Sequence, residues 1–87
     1  MGMGNGSWNA TEVDSVIVPA DAHVGEVRVQ VLSGGPIYLA YGVPAVVGEG
    51  LYLVEGGTHA VNDYRANLDV HAICGAGASA SGGFSKA

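Results

Sequence analysis

Between Val24 and Ser33 the chain alternates, with Val27, Val29 and Val31 set between Glu26, Arg28 and Gln30. A period of two puts every apolar side chain on one face of an extended strand. A helix would need its apolar residues three and four apart. The segment is therefore a strand with one buried face, and such a strand needs neighbours in a sheet and a second layer to cover it. The rest of the chain follows the same grammar. Short β-branched or aromatic runs occupy residues 14–18, 37–41, 45–47, 51–54 and 68–74. Between them stand Pro19, Gly34-Gly35-Pro36, Gly42 with Pro44, Gly48-Glu49-Gly50 and Gly56-Gly57, residues that stop or reverse extended chain. Residues 58–67 are mixed, and Asn62-Asp63-Tyr64-Arg65 reads as a loop or a single helical turn. In the last run, Leu68, Val70, Ala72 and Cys74 share one face. The expected fold is all-β, a small β-sandwich or barrel of five to seven short strands. Residues 13–75 form the expected sandwich domain. Residues 1–12 are expected as a flexible N-terminal arm and residues 76–87, rich in Gly, Ala and Ser, as a C-terminal arm.

A chain of 87 residues holds one domain at most, and one this short buries only about 60–65% of its unfolded surface. Disulfides, metals or oligomerisation usually supplement such a core. Cys74 is the single cysteine, so no internal disulfide forms. His23, His59 and His71 are too widely spaced to read as a zinc site with it. Oligomerisation remains. Charged residues make up 13% of the chain, about half the usual fraction, which favours burial against partner chains. The net charge of −5 includes only three basic residues, Arg28, Arg65 and Lys86. They are scattered and form no basic patch, so neither nucleic acid nor an anionic membrane is an expected partner. No apolar run reaches the 18–20 residues of a membrane helix, and residues 1–8 lack the pattern of a signal peptide.

Several residues bear on chemistry. Gly2-x-Gly4-x-Gly6 lacks the strand and helix that make such glycines a phosphate loop, and reads as part of the arm. Asp69 and His71 share a strand face, a spacing that suits acid–base work if Ser15 or Ser33 comes near; the favoured reading is a polar outer face of the last strand, with a pH-sensitive contact at an interface as a separate hypothesis. Cys74 ends an apolar strand face and reads as a small hydrophobe. Asn5-Gly6-Ser7 and Asn9-Ala10-Thr11 match the glycosylation pattern but have no secretory signal beside them. No catalytic, metal-binding or cofactor-binding set emerges. Aromatic residues suit interfaces, since one end packs and the other hydrogen-bonds. Trp8, Tyr38, Tyr41, Tyr52 and Phe84 are the expected partner-contact residues. Trp8 and Phe84 are each the lone large residue of a glycine-rich arm, expected to dock into a neighbouring subunit.

Three segments carry a family resemblance. They are Gly35-Pro36-Ile37-Tyr38-Leu39-Ala40-Tyr41-Gly42, then residues 43–53 with the Gly48-Glu49-Gly50 turn, then Leu68-Asp69-Val70-His71-Ala72-Ile73-Cys74-Gly75. Together, over residues 24–75, they resemble small all-β virion modules of tailed bacteriophages of the capsid-decoration and head-fibre-base type. The resemblance implies a non-enzymatic structural protein, most often a homotrimer, that binds the major capsid protein and stabilises the shell. It implies assembly in the bacterial cytoplasm and residence on the capsid surface. A carbohydrate- or receptor-binding adhesin tip and a tail or connector subunit are the alternatives. Where the resemblance calls for a closing valine-rich strand, this chain has Ala78-Ser79-Ala80-Ser81-Gly82-Gly83, so strand donation between subunits is a further expectation.

Overall fold

The alternating valines form β3 (Val27–Gly34), in which Val27, Val29 and Val31 are buried while Arg28 and Gln30 face solvent. The structure, a computed structural model, describes residues 4–22 and 24–87. His23, weighed above as a metal ligand, and the first glycine of the phosphate-loop pattern lie outside the described residues. The described residues form seven further strands: β1 (Gly4–Ala10), β2 (Ser15–Val18), β4 (Ile37–Tyr41), β5 (Leu51–Leu53), β6 (Thr58–Val61), β7 (Val70–Cys74) and β8 (Ala80–Lys86). A 3₁₀ turn, Tyr64–Asn67, is capped by the Asp63 carboxylate, which accepts from the Arg65 amide. Among the described residues no helix is long and apolar enough to cross a membrane.

Each strand of the first half pairs antiparallel with its mirror image in the second: β1 with β8, β2 with β7, β3 with β6, β4 with β5. The chain is one long hairpin, and the β3–β8 and β4–β7 ladders roll it up. Two four-stranded sheets result, with orders β1-β8-β3-β6 and β2-β7-β4-β5. Eight strands wound in this way make a jelly roll, a sandwich of two sheets with open edges rather than a closed barrel. The core between the sheets is mostly β-branched, built on Ile17, Val18, Val27, Val29, Val31, Ile37, Leu39, Val61 and Val70.

The strand count exceeds the expected five to seven because residues 4–10 and 80–86, expected within projecting arms, are strands. β1 pairs with β8 over seven consecutive positions, and β8 lies inside its sheet between β1 and β3. The missing closing strand is thus supplied by the chain's own glycine-rich end, and no donated strand is required. Glycine is ordinarily a poor strand residue because it has no side chain to pack. Here the cross-strand partners fill the gap. Trp8 stands opposite Gly82 and Phe84 opposite Gly6, so each end's one large ring covers the other end's glycine. A Cβ at Gly6 would lie 2.5 Å from the Phe84 ring, and one at Gly82 would lie 2.7 Å from the Trp8 indole. Trp8 is 4% exposed, and its indole N–H donates to the Gly83 carbonyl at 3.1 Å. The expected role of Trp8 as an anchor in a neighbouring subunit is corrected accordingly: it anchors its own sandwich. Phe84 is half-buried against the same core.

Candidate functional site

The register gives the two sheets unlike outer faces. On the first sheet the outward positions are Asn5, Ser7 and Asn9 on β1, Ser81, Gly83 and Ser85 on β8, Arg28 and Gln30 on β3, and Thr58 and Ala60 on β6. That face is mostly polar, with Leu32 of β3, 62% exposed, as its one large apolar side chain. On the second sheet, Tyr52, Tyr38 and Ile73 form one row across β5, β4 and β7, and Ala40, His71 and Val16 form the next across β4, β7 and β2. The Tyr38 and Tyr52 rings pack together with centroids 5.3 Å apart and planes inclined at 58°. The β4–β5 loop folds back over this face. Its Ala45 is buried, and the Ala45 amide donates to Asp14 at 2.7 Å. The fold-back leaves Val43, Val46 and Val47 facing outward, 48–57% exposed, beside Val16, Tyr52 and Val54 at 50–56%. Residues 45–47, expected as a brief extended piece, thus form part of this loop.

Beneath the loop lies a charged clamp. His71 Nδ1 is 3.1 Å from Asp14 Oδ2, and Nε2 is 3.0 Å from Asp69 Oδ2. A carboxylate only accepts, so the protonated imidazolium, in which both ring nitrogens donate, is the form that satisfies both contacts. Burial alone would lower the His71 pKa, but the hydrogen bonds the ring donates to Asp14 and Asp69, with their negative charge, outweigh it and hold the ring above the usual histidine value. Burial likewise pushes Asp14 up, while the Ala45 amide and then His71 bring it below the usual carboxylate value. The sequence brought Asp69 and His71 together correctly. Asp14, 57 residues away from His71, carried no signal beyond its place at the start of a strand. The serines do not join them: Ser15 lies opposite Ala72, on the core side of β7, and Ser33 is in the other sheet. With both nitrogens committed to carboxylates, the ring has no lone pair with which to take a proton from a substrate. What the trio does is tie the β1–β2 loop, β7 and the β4–β5 loop into one unit.

The clamp gives stability a signed pH dependence. His71 holds its second proton more tightly folded than unfolded, so its contribution is fully present below about pH 6.5 and is lost as pH rises through the raised folded value. Asp14 acts in the opposite sense, and its contribution is lost as pH falls through its lowered value. His59 is lowered, first by burial and then by Arg65, so it favours the fold at higher pH. The difference between wild type and His71→Gln isolates the clamp. That difference is expected to be about 1–2 kcal/mol near pH 6 and to shrink toward pH 9, measured as thermal melts across pH. A difference that stays flat with pH would remove the clamp from the account.

The other candidate residues fall apart spatially. Tyr41 points into the sandwich edge, where Tyr41 Oη and His59 Nδ1 hydrogen-bond at 2.9 Å and the Arg65 guanidinium lies over the ring at 5.8 Å. Burial raises the Tyr41 pKa, and the pair is an inter-sheet bridge. Of the five expected contact residues, only Tyr38 and Tyr52 reach the apolar outer face. Cys74 is fully buried, and burial raises its thiol pKa. Among the described residues, no group of three or more His, Cys, Asp or Glu side chains is placed to hold a metal ion. Sequence reasoning missed the loop valines as surface because a valine run reads as strand. Their signal was Pro44 and the flanking glycines, which prevent 43–50 from joining a ladder. Comparison with protein-family models, with curated proteins and with solved structures finds no match to this chain.

Proposed function

We propose that this protein is a non-enzymatic structural module that docks onto the outside of a tailed-phage capsid through the outer face of its second sheet, stabilising the shell. The observation that carries this reading is the contrast between the two faces. A monomer in water has no use for an outer face of tyrosine, isoleucine and valine around one charged clamp when its other face is mostly serine, asparagine, arginine and glutamine, and exposed apolar faces of this kind mark protein contacts. The resemblance over residues 24–75 supplies the virion setting. The jelly roll is compatible with it, since viral capsid domains use this fold, but lectin domains and cupins use it too, so the fold does not choose the function. Stabilisation would follow from mass action: a module that binds only the assembled shell shifts assembly toward it, and repetition over a lattice multiplies a modest gain. A homotrimer on the capsid remains part of the proposal, motivated by the small core. A glycan-binding tip is the second reading, favoured by the exposed Tyr38–Tyr52 pair, although rings inclined at 58° offer no flat platform for a sugar.

Sedimentation of the pure protein, alone and with empty tailed-phage capsids, tests the proposal. Co-sedimentation at a fixed, saturable stoichiometry is expected. Failure to bind shells, together with retention on a glycan array, would replace the first reading by the second.

A further inference from the structure

We infer that the occupant of the apolar face is a protein surface fringed with lysine and arginine, and not a second copy of this chain. The inference rests on the docking-face reading above and adds the chemistry of the partner. All three basic side chains are spent on acids away from that face: Arg28 on Glu26 at 3.8 Å, Arg65 on Asp63 at 3.1 Å, and Lys86 on Asp21 at 3.9 Å. The five remaining carboxylates, Glu12, Asp14, Glu49, Glu55 and Asp69, account for the whole net charge of −5. Among the described residues, no lysine or arginine is placed within ion-pair distance of them.

Their positions are not random. Asp14 and Asp69 bracket His71 on the outer face itself. Glu49 lines the groove that Ala40 shares with Val43 and Val46. Glu55 and Glu12 follow and precede the exposed Val54 and Val13 and are fixed at one end of the sandwich, where they accept from the Gly34 and Gly77 amides. The imidazolium of His71 offsets one of these charges, and the others remain. Two copies pressed together by this face would therefore set carboxylates against carboxylates in a drying interface, where like charges facing each other oppose association. A partner with an apolar centre and a Lys/Arg rim meets both the valine–tyrosine surface and its acidic fringe. Any trimer must then be built from other surfaces.

The probe is an amphipathic helical peptide of leucine and lysine only, with a leucine–glutamate peptide of the same pattern as control. Binding is read by fluorescence anisotropy and oligomeric state by sedimentation equilibrium. The leucine–lysine peptide is expected to bind, with affinity falling roughly tenfold or more between low and high salt. Glu49→Gln with Glu55→Gln should weaken it several-fold, and Val47→Asp with Tyr52→Asp should abolish it. Glu26→Gln, on an acid already paired elsewhere, should change nothing. All the substituted side chains are exposed or half-exposed, and circular dichroism verifies that each variant folds. Equal binding of the glutamate peptide, indifference to the Val47/Tyr52 pair, or wild-type self-association that this pair removes would each overturn the inference. Capsid binding that depends on Val47 and Tyr52 but strengthens with salt would overturn the basic rim while leaving the docking face standing.

Discussion

Trp8→Ala should destabilise the isolated domain by about 3–5 kcal/mol, the range for removing a buried large aromatic. For a domain of this size that corresponds to a fall in Tm of at least about 12 °C. The loss has three parts. The indole fills the space that Gly82 leaves open across the ladder. It joins the core against which the two sheets pack. Its N–H satisfies the Gly83 carbonyl at 3.1 Å, which would lose that partner. Because β1 and β8 are the first and last strands and pair only through this ladder and its neighbour, the whole sheet depends on a seam poor in side chains. Denaturant unfolding of the pure protein measures the effect. A variant that keeps wild-type stability but fails only in assembly would restore the swapped-anchor role and contradict the structure.

Gly82→Ala tests the same seam from the other side and should cost about 2–4 kcal/mol through overpacking. An added Cβ would meet the Gln30 carbonyl oxygen of β3 and lie 2.7 Å from Trp8 Cζ2. The indole can tilt, but a backbone oxygen held in a ladder cannot, so the strain falls on the β3–β8 pairing. Combining Gly82→Ala with Trp8→Ala should not rescue stability, because the collision with Gln30 remains. Gly4→Ala is the contrast: nothing lies within 4 Å of a Cβ there, and its effect should stay within about 0.5 kcal/mol. Equal effects at Gly4 and Gly82 would mean that generic glycine propensity, not the close approach, governs the seam.

The middle of the chain was readable because its patterning and its punctuation agree. The valines of β3, the run Ile37–Tyr41 and the Val70, Ala72 and Cys74 face all lie as the period of two demands. The ends were misread for a physical reason. Glycine and serine have low strand propensity by themselves, and only tertiary pairing, with one aromatic ring laid over each opposing glycine, makes them strands. Nothing local announces that Gly6 faces Phe84 across the two termini. The candidate site divides in the same way. Tyr38, Tyr52 and the Asp69–His71 pair follow from strand alternation, whereas Asp14 and the loop valines enter by a fold-back of the β4–β5 loop that leaves no periodic trace.

The most direct test of the central claim compares two doubly substituted proteins for binding to empty tailed-phage capsids, one altered on each sheet. Val47→Asp with Tyr52→Asp puts charge on the apolar face of the second sheet, and Ser7→Asp with Ser85→Asp puts equal charge on the polar face of the first. All four positions are exposed or half-exposed, so both proteins should fold. Charge buried without a partner in a contact costs enough to weaken binding roughly a hundredfold. The account requires that loss for the first protein and near wild-type affinity for the second. Loss confined to the second protein, or shared equally by both, would contradict the assignment of the docking face.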